Sequence, residues 1–159
     1  MLSDAESRTN GDSLGMPKLE KFVRNVTILV VVDTNFLTIP YQFNIDIFSE
    51  SKMILEQRVD FVILSSVMDE INRLAETAKG NDRHAFRVAL ELAGNCRIED
   101  VQDAISELSV DDQLIEHTAQ AGGVLATNDR ELRACARSRG IPVLLLRGKK
   151  RLVLEGEVP

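Results

Sequence analysis

The run Ile28-Leu29-Val30-Val31-Val32 constrains this chain more than any other stretch. Five consecutive aliphatic residues, most of them β-branched, offer no polar face to solvent. They therefore predict a strand buried on both sides, as in the interior of a parallel sheet. The run stops abruptly at Asp33-Thr34-Asn35. In parallel sheets ligands collect at the carboxyl ends of the strands. A bare carboxylate there is costly unless a cation, hydrogen bonds or a helix start faces it. Asp33 is the first candidate site residue.

The same buried pattern recurs at Asp60–Leu64, Val124–Ala126 and Pro142–Leu146, with weaker strands expected at Cys96–Val101 and Arg151–Leu154. Between them, apolar spacing predicts helices near Asp46–Leu55, Val67–Lys79, Asp82–Leu92, Ser109–Gln120 and Asp129–Arg139. Ser65-Ser66 supplies N-cap chemistry, Gly94-Asn95 suits a left-handed helix end, and Asn128, three residues before Glu131, has capping-box spacing. Strands alternating with helices predict an α/β fold, a three-layer α/β/α sandwich with a central parallel sheet and right-handed crossovers.

With 159 residues, 44% of them hydrophobic, the chain has enough apolar content for one core and too little length for two ordinary ones. Residues 1–17 are rich in Ser, Asp, Asn and Gly without apolar periodicity and are expected to be a disordered tail. Leu19, Phe22, Val23 and Val26 suggest a short helix opening a single domain over 18–159. No apolar run approaches the ~20 residues of a membrane span, and the start lacks a secretion signal, so a cytoplasmic protein with no membrane partner is expected. Cys96 and Cys135 fit no zinc spacing, and His84 and His117 stand apart from other ligand types, so any metal would be held by oxygen. The GxGxxG and GxxxxGK(S/T) phosphate loops are absent.

Acidic residues fall at equivalent places along this pattern. Asp33 follows the first strand, Asp129 follows the Val124–Ala126 strand, Glu70 lies early in the helix after Asp60–Leu64, and Asp111 and Asp112 open the helix before Val124. In a doubly wound sheet these would converge on one crevice, where mutual repulsion calls for a cation. Mg²⁺ or Mn²⁺ suits such oxygen donors, and could support in-line displacement at a phosphodiester. Taken singly, each acid also has a local reading. Asp33 could cap a turn, Asp112 could pair with Ser109 in a capping box, Asp111 could complement the helix dipole, and Glu70 could be solvated like Asp69.

The segments Val-Val-Asp33-Thr34-Asn35-Phe-Leu, Leu64-Ser65-Ser66-Val-Met-Asp-Glu70-Ile, Val110-Asp111-Asp112-Gln-Leu-Ile and Ala126-Thr127-Asn128-Asp129-Arg130-Glu-Leu, in that order, resemble the four motifs of PIN-domain nucleases. The resemblance covers roughly 27–154. It implies Mg²⁺- or Mn²⁺-dependent endoribonuclease activity, with Asp33, Glu70, Asp112 and Asp129 as catalytic metal ligands. Its register favours Asp112 over Asp111, whose part stays open. Thr34, Asn35, Asp111, Thr127 and Asn128 would then orient those carboxylates or bond a phosphate. Gly140-Ile-Pro-Val and Leu146-Arg147-Gly148-Lys149-Lys150-Arg151-Leu resemble an archaeal branch related to small-subunit rRNA-processing endonucleases, with VapC-like toxins more distant. An rRNA precursor is the implied substrate, with ribosome-assembly proteins as partners and homodimers frequent in the family.

Net charge is −6, yet residues 130–151 hold eight basic side chains against Glu131 alone, leaving about −13 elsewhere. Arg130, Arg133 and Arg137 share a helical stripe, and Arg147, Lys149, Lys150 and Arg151 cluster after the last core strand. Both groups are expected to track RNA backbone. Two rivals remain: a VapC-type toxin ribonuclease with an antitoxin partner, and a non-catalytic RNA-binding assembly module.

Overall fold

A computed structural model describes residues 26–158. The expected tail and the entry helix on Leu19, Phe22 and Val23 lie outside the described residues. Six strands form one sheet in the order β3-β2-β1-β4-β5-β6. At its centre is β1 (Thr27–Val32), flanked in parallel by β2 (Arg58–Leu64) and β4 (Val124–Ala126), with Val31 opposite both Val62 and Leu125. Beyond β2 lies β3 (Arg97–Glu99), and beyond β4 lies β5 (Val143–Arg147), both parallel to their neighbours. The last strand, β6 (Arg151–Glu155), returns antiparallel along β5 through a tight turn, an exception to the expected parallel sheet. A hairpin needs only a few residues, whereas a parallel return needs a crossover of a dozen or more. Only three residues separate β5 from β6.

Val30, Val31 and Val32 are fully buried, as a doubly covered central strand demands. The cover comes from α1 (Thr34–Leu37), α2 (Ile39–Phe43), α3 (Ile47–Leu55), α4 (Ser65–Thr77), α5 (Gly80–Leu92), α6 (Val110–Ala121) and α7 (Arg130–Ser138). Helix α3 reaches both β2 and β6, α4 lies on β2 and β3, α6 on β1 and β4, and α7 on β5, while α5 packs on α4 and α1. This is the three-layer α/β/α plan. Among the described residues no helix is long and apolar enough to cross a membrane.

Several local expectations are corrected. Helix α4 starts at Ser65 itself, capped by Leu64 without a side-chain bond; Ser65 Oγ instead accepts the Val101 N–H at 3.4 Å, tying down the chain beyond β3. After α5 the chain tightens into a 3₁₀ turn, Ala93–Asn95, with Cys96 N–H bonded to Ala93 O at 3.0 Å, and neither Gly94 nor Asn95 is left-handed. The tighter turn leads directly into β3. Asp129, not Asn128, caps α7, because the Asn128 amide oxygen is committed to Leu146 N–H at 3.0 Å.

The chain leaves β1, builds β2 and β3 on one side, then crosses back to place β4 on the other. The gap between the carboxyl ends of β1 and β4 is therefore the topological switch point, where crevices form. At the opposite, amino end of β4, Gly123 allows that strand to approach β1 closely, since a Cβ on it would stand 2.7 Å from the Leu29 carbonyl oxygen.

Candidate active site

Asp33 sits at this switch point, 7% exposed. Its backbone N–H extends the β1–β4 ladder to Ala126 O at 2.9 Å, and its extended backbone makes it the N-cap of α1. One carboxylate oxygen accepts the Thr34 N–H at 2.7 Å; the other accepts the Thr127 hydroxyl at 2.7 Å from across the gap. The local capping role and the position at the sheet edge thus belong to the same side chain.

Asp33-Thr34-Asn35 after β1 and Thr127-Asn128-Asp129 after β4 contain the same three residue types, and they interlock. Thr127 Oγ1 donates to Asp33 and accepts the Asp129 N–H at 3.1 Å. The Asn35 amide oxygen accepts the Asn128 N–H at 2.8 Å, and Asp129 accepts the Leu132 N–H at 3.0 Å as the cap of α7. From α4, Glu70 accepts the Thr34 hydroxyl at 2.6 Å, leaving its second oxygen free of this bond.

These groups border a cavity of about 380 Å³ whose lining, among the described residues, includes five carboxylates, Asp33, Glu70, Asp82, Asp111 and Asp129, and no lysine or arginine. Burial pushes the Asp33 carboxyl up to about 6 despite its two hydrogen bonds, and the charges of Asp111 and Glu70 add to the rise. Asp111 is likewise raised, first by desolvation and then by repulsion from Asp129 and Glu70. A pocket that raises its own carboxyls in this way is short of positive charge.

Asp33, Glu70 and Asp129 come together as expected, and Thr34, Asn35 and Asn128 line the same cavity. Between the two acids that open α6, it is Asp111 that lines the cavity. Asp112 is exposed, and its N–H donates to Ser109 Oγ at 3.2 Å within the helix cap. Adjacent helical residues point about 100° apart, and the register of the sequence resemblance had favoured Asp112, whereas it is the preceding residue that borders the cavity. Asp82 was missed altogether. It belongs to the α5 stripe of Asp82, Ala85, Phe86 and Ala89, of which Ala85 and Ala89 are buried, so helical spacing from those alanines would have pointed to it.

None of the seven cations expected to hold RNA lines the cavity. Arg137 and Arg147 each bond Glu155 at 2.8 Å, and the Arg137 bond foremost holds the Glu155 carboxyl below its ordinary range. Arg133 Nε is buried without a hydrogen-bond partner, whereas Arg130, Lys149, Lys150 and Arg151 are exposed. The basic C-terminal end is thus partly neutralised from within.

The donor set suits a hard cation. Among the described residues every charged group lining the cavity is a carboxylate, and neither cysteine nor either histidine borders it; buried His117 bonds Glu99 at 2.7 Å instead. Among the described residues no three His, Cys, Asp or Glu side chains form a ready-made metal cage. Mg²⁺ is commonly held by one or two carboxylates plus waters and substrate oxygens, and needs no such cage.

Residues 30–149 match the family model described as a PIN like domain. The chain is 35% identical over 125 residues to Ribonuclease VapC9 of Archaeoglobus fulgidus, covering 79% of this chain and 87% of that protein. It is 30% identical over 132 residues to Ribonuclease VapC4 of Methanocaldococcus jannaschii, covering 81% and 98%. The solved structure of the PIN domain endonuclease Utp24 superposes with a TM-score of 0.66 at 27% identity, covering 82% of this chain and 92% of that one.

Proposed function

The chain belongs to the PIN-like domain family, and from that premise we propose that it is an Mg²⁺- or Mn²⁺-dependent endoribonuclease hydrolysing RNA phosphodiester bonds. One observation carries this reading: among the described residues, five carboxylates and no basic side chain line a cavity at the switch point of the sheet. RNA as substrate is supported by the two relatives named ribonucleases, and internal cleavage by the likeness to an endonuclease.

In this reading Asp33, Glu70, Asp111 and Asp129 hold the metal, directly or through waters, with Asp33 most central. The metal would supply Lewis-acid stabilisation of the charge that builds on the phosphodiester and would ease proton loss from the attacking water. The chain's own work is positioning. The Thr127 hydroxyl fixes the outer oxygen of Asp33, and the Thr34 hydroxyl fixes one oxygen of Glu70. Asn35 joins the loops after β1 and β4, so that Asp33 and Asp129 keep one separation as substrate enters. Asp112 is left to its helix cap.

Resemblance of the segments after α7 to rRNA-processing endonucleases favours an rRNA precursor as substrate, and cytoplasmic ribosome assembly as the setting. The similarity to two proteins named VapC favours a second reading, a toxin ribonuclease checked by an antitoxin. Cleavage of labelled pre-rRNA fragments and unrelated single-stranded RNAs in Mn²⁺, Mg²⁺ or EDTA separates them. Metal-dependent cuts are expected, abolished in Asp33→Asn and reduced at least about hundredfold in Asp111→Asn, with Asp112→Asn close to wild type. Confinement to one pre-rRNA site supports maturation, and cuts in other RNAs support the toxin reading. RNA left whole under every condition overturns the nuclease and favours an RNA-binding assembly module.

A further inference from the structure

A cavity walled by carboxylates repels the polyanion it is proposed to cut, so the cations that hold RNA must stand beside it. Helix α5 is built for that. One flank, with Asp82, Ala85 and half-buried Phe86, lines the acidic cavity, and Phe86 is the aromatic side chain there. On the face turned away from the cavity, Gly80, Arg83, His84 and Arg87 line a second open pocket of about 370 Å³, and Arg83 and Arg87 stand about 60° and 100° around the helix from Phe86. Arg83 and Arg87 are one turn apart, with Cβ atoms about 5–6 Å from each other, close enough for both guanidinium groups to reach one phosphodiester. Among the described residues no carboxylate pairs with either arginine, whereas Arg97, Arg137, Arg139 and Arg147 are all spent on internal ion pairs.

We propose that α5 guides single-stranded RNA into the cavity, with a base stacked on Phe86 and the neighbouring backbone phosphate held by Arg83, Arg87 and an N–H of His84. Single-stranded nucleic acid is commonly held by this combination of a basic groove and an aromatic platform. Because one helix carries both faces, a phosphate seated on the arginines sets the direction in which the strand runs past Phe86 toward the carboxylates. The inference rests on the nuclease reading above, and it assigns strand entry to α5 instead of the Arg147–Arg151 cluster.

The test measures anisotropy of a labelled single-stranded RNA in Mg²⁺ with the full Asp33→Asn chain, which is expected to bind without cutting. It is repeated with Arg83→Gln/Arg87→Gln, Arg83→Lys/Arg87→Lys or Phe86→Leu added. The glutamine pair should weaken binding about tenfold and make the dependence of log K on log salt shallower by about 1.4, two single-strand contacts at ~0.7 each. The lysine pair should restore the slope, and Phe86→Leu should weaken binding with the slope unchanged. If the glutamine pair binds as tightly and with the same slope while the wild-type chain cuts RNA, the α5 path is overturned and the nuclease stands. RNA neither bound by Asp33→Asn nor cut by wild type overturns both.

Discussion

Asp33 carries its charge at a cost to the fold. Its carboxyl is raised from 3.8 to about 6 by burial, so between those pH values the folded chain binds more protons than the unfolded one. Stability therefore falls as pH rises through that window, and the loss, at most about 3 kcal/mol, persists at neutral pH in the absence of a cation. Asn has nearly the same shape, keeps an acceptor for the Thr34 N–H and removes the charge. In EDTA, Asp33→Asn should melt above wild type at about pH 7.5, with the difference closing below about pH 4. A variant less stable than wild type at neutral pH would contradict the burial account. The same residue was legible in the sequence because it ends an uninterrupted apolar strand. Asp111 was legible only as one of a pair, since neighbouring helical residues share every local signal and differ in the direction they face.

At the scale of elements, the site depends on how closely β4 approaches β1. Gly123 makes that approach possible, and Gly123→Ala would place a Cβ 2.7 Å from the Leu29 carbonyl oxygen. Because that atom is backbone, relief requires the strands to part. The expected cost is about 1–3 kcal/mol in denaturant melts, together with lost cleavage, as the Thr127–Asp33 hydrogen bond lies four residues further on, just past the end of β4. Unchanged stability and activity would mean that the two loops are aligned by something other than this strand pair. The strands and main helices followed from periodicity, which reports burial well. Caps did not, because Ser65 and Asn128 each have a competing partner supplied by distant chain, Val101 for Ser65 and Leu146 for Asn128, while Gly94 and Asn95 are drawn into a 3₁₀ turn. Local propensity cannot register such partners. The antiparallel direction of β6 followed from the length of the connection, which the alternating pattern of strands and helices obscured.

Across the whole molecule, charge is sorted by function. Carboxylates from the β1 and β4 loops and from α4, α5 and α6 gather at one edge of the sheet, although they are far apart in sequence. That convergence was legible once the strand order was assumed, since it follows from placing every strand end on one side. Asp82 escaped because it comes from a helix start with no strand before it. Which cations stay free was the least legible, because counting Arg and Lys does not reveal that Glu155 takes up both Arg137 and Arg147. In the proposed function this acidic edge exists to hold a divalent cation at Asp33. Calorimetric titration of Mn²⁺ into the full chain near neutral pH tests it most directly, comparing wild type with a folded Asp33→Asn variant. The account predicts saturable binding by wild type that weakens at least about tenfold in the variant. Equal binding by the two proteins, or none by wild type, would contradict it.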